Sequence, residues 1–164
     1  EPFFSTIQNL VHRADEVAPV FSVREDEGDD SGPLVVGNEV FPEEIELRRE
    51  VAGRYAALIQ RLGAAVEPPR IPDGVISAWA QYSVLARDES HRAELLRRLK
   101  SATIPAAIYY PRPLHLQTAF KDLGYAPGAF PVSELCAQRI FSLPMHPYLA
   151  ESDQEKIIAA LVED

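Results

Sequence analysis

The longest regular pattern in this 164-residue chain is the run FPEEIELRREVAGRYAALIQRL (41–62), and it limits the possible folds more than any other feature. Ile45, Arg48, Val51, Ala52, Tyr55, Leu58, Ile59 and Leu62 recur at the helical period and so share one face. Pro42 suits a first helical position, Glu43 and Glu44 complement the positive end of the helix dipole, and Gly63 is a natural stop. A stripe of this kind has to be covered, so the remaining chain must supply a sheet or further helices to pack against it.

Downstream sequence supplies both. EPPRIPDG (67–74) is a stiff connector whose three prolines exclude regular structure. ISAWAQYSVLA (76–86) alternates and is rich in aromatic and β-branched residues, which predicts a strand, with Ser90 capping a helix over 91–100. IPAAIYY (104–110) reads as a second short strand ending at Pro111. LQTAFKDLG (116–124) is a short helix closed by Gly124, PVSELCAQRI (131–140) is another, and FSLPM (141–145) is a brief strand broken by Pro144. SDQEKIIAALVE (152–163) opens on a Ser152–Glu155 capping box and aligns Ile157, Ile158, Leu161 and Val162. This order predicts an α/β (α+β) domain, a small mixed sheet of about three strands packed with helices, without internal repeats.

The first 38 residues read differently. Ile7, Leu10, Val11, Ala14, Val17 and Ala18 share a stripe that predicts a short helix up to Pro19, followed by the acidic linker REDEGDDSGP (24–33). The expected division is therefore 1–38, a divergent N-terminal helix and acidic linker, and 39–164, the main domain. A chain opening on Glu1 rather than Met also suggests a processed product or a fragment.

Composition excludes several functional classes. Apolar residues at 46% and charged ones at 25% describe a soluble globular domain, long enough to bury a core without disulfide or metal staples. A net charge of -9 argues against nucleic-acid binding, which needs clustered Lys and Arg. The basic residues of HRAELLRRLK (91–100) punctuate Leu95, Leu96 and Leu99 at helical spacing and read as a solvated face. Cys136 is the single cysteine, so no internal disulfide forms and a cytoplasmic setting is expected. No apolar run approaches the ~20 residues of a membrane span, and the N-terminus lacks a signal-peptide layout.

The four histidines lack zinc-site spacing, and His12 and His91, on predicted helices among charges, read as exposed surface residues. His115 and His146 stand apart, each in a proline-bounded segment after a predicted strand, YYPRPLH (109–115) and SLPMHP (142–147). Such a segment is either a rigid loop lining a ligand pocket or a turn packed on its own domain. Lys100, Lys121 and Lys156 sit on amphipathic helices among polar neighbours, where a desolvated Schiff-base lysine is hard to place. No phosphate loop or nucleophile elbow is present, so no catalytic, cofactor-binding or metal residue is assigned.

The blocks FPEEIELRREVAGRY, SAWAQYSVL, IPAAIYYPRPLHLQTAF and FSLPMHPYL, in that order and spacing, resemble the C-terminal small domain of the DegT/DnrJ/StrS family of sugar-nucleotide aminotransferases, over about residues 40–163. The resemblance implies the small domain of a fold-type I, pyridoxal phosphate-dependent enzyme that moves an amino group, usually from glutamate, to a keto-sugar on a nucleoside diphosphate. The products feed cell-surface polysaccharides and antibiotic glycosides, and the most similar subgroup includes enzymes acting on 3-keto UDP-sugar acids. In the family the Schiff-base lysine, the aspartate on the pyridinium nitrogen and the phosphate cradle belong to a large N-terminal domain not recognisable here. No pyridoxal phosphate is therefore expected on this chain alone.

Carried over by position, Tyr109 and Tyr110 would face the sugar or its nucleotide, with His115 and Gln117 following on the same loop. Arg112 would neutralise an acidic sugar or a diphosphate, since its planar fork suits either anion. Met145 and His146 would pack against the large domain. The implied partners are a nucleotide sugar, the missing large domain or a full-length homologue, and a second copy in a homodimer. The alternative is a non-catalytic nucleotide-sugar-binding or interaction module derived from that domain. A chain that docks on a large domain should expose apolar side chains where Val35, Val36, Val40, Met145 and Tyr148 lie, whereas an adapted module should carry polar ones. A ferredoxin-like regulatory domain fits the element mixture but not the four blocks.

Overall fold

The computed structural model describes residues 11–13 and 42–162. The long amphipathic run forms α1 (Pro42–Leu62), ended by Gly63 in a left-handed conformation (φ 65°) that costs glycine little. Its apolar face meets α4 (Glu151–Ala159) and the antiparallel pair β3 (Tyr82–Leu85) and β4 (Ile140–Leu143). The stripe residues Val51, Tyr55, Leu58 and Ile59 are buried there with Tyr82, Val84, Phe141, Leu143, Ile157 and Ile158. A further helix, α2 (Glu89–Ser101), adds Leu95 and Leu99, both fully buried and each worth ~1.5–3 kcal/mol of transfer free energy.

Gln154, Tyr55, Ser83 and Ser142 are buried in this core with hydrogen-bond partners. Gln154, fully buried, accepts from Arg54 Nε (2.7 Å) and donates to the Val51 carbonyl (2.9 Å), pinning α4 to α1. Tyr55 Oη donates to the Pro144 carbonyl at 2.8 Å, and the Ser83 and Ser142 hydroxyls share a 2.7 Å bond across β3 and β4. Burial pushes the Tyr55 and Tyr82 hydroxyls well above the ordinary phenol range, so both stay neutral.

Several expectations need correction. The 76–86 run is two strands, β2 (Val75–Ser77) and β3, because the chain turns at Trp79 (φ 50°), whose ring stacks on Tyr82 with centroids 5.5 Å apart. The 104–110 run contributes a single antiparallel bridge, Ala107 to Ser142, since Pro105 lacks an amide hydrogen to extend the ladder. The described strands thus form two antiparallel two-stranded sheets rather than one mixed sheet, with helices packed against them as expected. Val11–Arg13, expected in a helix, forms β1 and pairs antiparallel with β2, so inter-strand pairing overrides the local helical stripe. The rest of the predicted N-terminal helix, the acidic linker and Val35, Val36 and Val40 lie outside the described residues.

Caps were also displaced from their predicted positions. Asp88, not Ser90, caps α2: its Oδ1 accepts the His91 amide (2.8 Å) and the Ser90 hydroxyl (2.6 Å), which holds its carboxyl below the usual range. The Ser152–Glu155 box is not formed, and α4 starts after Ala150 without a side-chain cap. His91, expected on the surface, is buried, and its Nδ1 accepts the Arg87 amide at 3.1 Å. Arg92 is buried too, donating to the Ala137 carbonyl at 2.6 Å. The solvated reading holds for Arg97 and Lys100, whereas Arg98 is half-buried and donates to the Val162 carbonyl at 2.9 Å; Arg97 and Arg98 both pair with Glu94 and hold its carboxyl at about 2.

Candidate functional site

Between its bridge at Ala107 and its return to the core at Ala137, the chain makes an arm. Two short 3-10 turns, Leu114–Leu116 and Thr118–Leu123, are followed by α3 (Pro131–Arg139), with Pro131 at the first helical position. Gly124 (φ 73°) closes the second turn. The arm is fastened at its far end by Arg92 to the Ala137 carbonyl and by Arg139, which donates to the Ala86 carbonyl (2.6 Å) and pairs with Glu67.

All five expected ligand residues lie on this arm, but the structure treats them differently. Tyr109 and Tyr110 are exposed, at 42% and 59%. Tyr109 lines a 250 Å³ cleft with Gln81, Ala107, Pro144 and Met145, so one tyrosine does meet the SLPMHP segment. Antiparallel pairing of Ala107 with Ser142 sends the two proline-bounded segments away in opposite directions, and His146, exposed, does not line the cleft. Arg112 is exposed, and its carbonyl accepts Gln117 Nε2 at 3.2 Å, which closes the turn between them.

His115 is the exception. It is buried, its ring lies 4.8 Å from that of Phe130, and its Nε2 is 3.0 Å from Glu134 Oε1. Glu134 also accepts the Gly128 amide on both oxygens (2.8 and 3.0 Å) and the Phe130 amide (3.4 Å). Partial burial pushes the Glu134 carboxyl up, but these N–H donors and the histidine outweigh it and leave the group below its usual range. Sequence reasoning treated Glu134 only as part of a helix. The available signal was an acid in the first turn after Pro131, behind a glycine turn, a spacing that lets a carboxylate reach back to the amides preceding the helix.

Around these residues the arm shows bare apolar groups. Of the eleven exposed large apolar side chains among the described residues, nine lie between Tyr109 and Leu135, including Leu114, Phe120, Leu123 and Tyr125. A larger depression of 430 Å³, between α1 and β2 beside Trp79, is lined by none of the five expected residues.

Residues 39–162 match the DegT/DnrJ/EryC1/StrS aminotransferase family. The chain belongs to that family. It is 38% identical over 119 residues to the pleiotropic regulatory protein of Geobacillus stearothermophilus, covering 72% of this chain and 31% of that protein. It is likewise 38% identical over 123 residues to the UDP-2-acetamido-2-deoxy-3-oxo-D-glucuronate aminotransferase of Pseudomonas aeruginosa, covering 75% of this chain and 32% of the relative. Among solved structures, a DegT DnrJ EryC1 StrS aminotransferase from Brucella abortus superposes with a TM-score of 0.64 at 47% identity, over 73% of this chain and 30% of its own. The family member thus described spans about a third of the length of the relatives it matches.

The lysines of this family member are not placed for a Schiff base with pyridoxal phosphate. Its three lysines, Lys100, Lys121 and Lys156, are all exposed, and Lys156 Nζ pairs with Asp153 at 2.8 Å. Cys136, half-buried, has its thiol pushed up by burial, which keeps it protonated and a poor nucleophile. None of the described helices is long and apolar enough to cross a membrane.

Proposed function

We propose that this chain is the C-terminal part of a pyridoxal phosphate-dependent aminotransferase acting on a nucleotide-linked keto-sugar, for cell-surface polysaccharide or glycoside biosynthesis. It forms one wall of a cleft whose other wall, with the reactive lysine, is the large domain, and the assembly is a homodimer. The observation that carries this reading is the arm itself: besides Tyr109 and Tyr110, seven further large apolar side chains between Leu114 and Leu135 stand exposed on it. An isolated domain rarely leaves so many large apolar side chains of one segment in water, whereas a domain with a covering partner does. Tyr109 and Tyr110 supply a stacking and hydroxyl surface for the sugar or base, Arg112 a planar fork for its carboxylate or diphosphate, and His115 and Gln117 polar contacts on the same turn. The Pseudomonas relative, named for a UDP-linked oxo-glucuronate, supports an acidic 3-keto UDP-sugar as the substrate.

The chain alone has no transaminase activity on this view, since none of its lysines is desolvated. The test has two arms. Purified chain mixed with equimolar pyridoxal phosphate and borohydride should acquire no stoichiometric adduct at a single lysine; such an adduct overturns the proposal. Co-expression with the N-terminal two-thirds of the Pseudomonas relative should restore glutamate-dependent amination of the UDP-linked keto-sugar, with Arg112→Ala raising KM about ten-fold or more for loss of one charge-assisted contact. Nucleotide-sugar binding by the chain alone, with no reconstitution, would instead identify a stand-alone binding module.

A further inference from the structure

Between Tyr109 and Cys136 a single side chain is buried, and it is a histidine rather than an apolar residue. The arm therefore has no hydrophobic core of its own. Its shape is gathered at one carboxylate, Glu134, which binds the His115 turn, the Gly128 turn and the Phe130 amide. Two of those donors are backbone N–H groups, which fixes Glu134 as the acceptor in this cluster. An ionised carboxylate has no proton to give, so the 3.0 Å contact with His115 requires the ring to donate from Nε2. Neutral imidazole carries one N–H, and placing it on Nε2 leaves Nδ1 as a bare acceptor. Nδ1 has no hydrogen-bond partner among the described residues.

We infer that Glu134 is a positioning residue, whose carboxylate locks His115 in the Nε2–H tautomer and so presents Nδ1 as a hydrogen-bond acceptor for a hydroxyl of the ligand. This rests on the reading that His115 faces the nucleotide sugar. Glu134 itself touches no substrate: it acts through the ring it orients, and the Phe130 ring, packed on His115 and edge-on to Tyr125 at 5.0 Å, limits rotation. The group recognised is a donor, a sugar or ribose hydroxyl, rather than a carbonyl or phosphate oxygen, which a bare Nδ1 would repel.

Nitrogen NMR of the histidine-labelled chain, about two pH units above the ordinary histidine value, reads the tautomer directly. The wild type should show Nε2–H in about ten-fold excess or more, the ratio expected of one charge-assisted hydrogen bond. In Glu134→Gln the single amide oxygen stays on the Gly128 amide and the NH2 turns to the ring, so the ratio should fall at least several-fold or invert. A wild-type ring protonated on Nδ1 overturns the inference whether or not the variant folds, as does a ratio unchanged in a folded Glu134→Gln. In the co-expressed complex, UDP-sugar should move the Nδ1 resonance far more than Nε2. An Nε2–H ring whose Nδ1 ignores the UDP-sugar overturns the ligand-facing role of His115 and leaves the Glu134 lock standing, so the two failures are told apart.

Discussion

The core and the arm are built on opposite principles. Around α1, β3, β4 and α4, apolar side chains such as Tyr55, Phe141, Leu99 and Ile158 are fully buried, and Gln154, Ser83 and Ser142 are buried with hydrogen-bond partners. From 109 to 135 the pattern inverts, with most large apolar groups exposed and a buried histidine held by a half-buried carboxylate. The core is thus stable by its own contacts, while the arm holds a shape through a few directed bonds and keeps its apolar surface for something else. A rigid platform carrying a poorly self-buried binding segment is a common way to place a site, because the segment gains its burial only on assembly.

Three measurements would break or sharpen this contrast. Phe141→Ala should destabilise the chain by about 3–5 kcal/mol in urea unfolding, because it empties the middle of the core. The equivalent truncation Leu123→Ala on the arm should stay within about 0.5 kcal/mol, and comparable losses would erase the distinction. Next in size, Gln154→Ala should lower the unfolding free energy by roughly 1–3 kcal/mol, since the Val51 carbonyl and Arg54 lose a buried partner; a loss below that range would mean that water replaces the amide.

The smallest effect is in acid. The Glu134 carboxyl has a folded pKa below its unfolded one, so its contribution is complete above the ordinary carboxylate range and fades as pH falls through the folded value. Amide exchange at Gly128 and Phe130 should therefore lose protection on acidification before Leu85 and Ser142 do, whose bonds to the Glu67 and Ala107 carbonyls involve no titrating group. Simultaneous loss would show that the arm and core open together.

Much of this architecture was readable from local pattern. The boundaries of α1 followed from Pro42, Gly63 and a continuous stripe, and β4 from its closing Pro144, because each signal acts within a few residues. The arm's five expected ligand residues could be named but not sorted. Nothing near His115 in sequence shows that its partner stands nineteen residues on. The break at Trp79 was equally hidden, since it depends on where Tyr82 packs.

The sequence by itself determined the long helix α1 and the helix α2, where prolines forbid continuation, and the family to which 39–162 belong. Only the tertiary structure decided that the strands pair antiparallel, that His91 and Arg92 are buried, that Glu134 rather than solvent meets His115, and that the arm's apolar residues face outward. The reason is one of range: periodicity and caps are set by neighbours along the chain, whereas burial, pairing and the direction a loop side chain faces depend on groups tens of residues away.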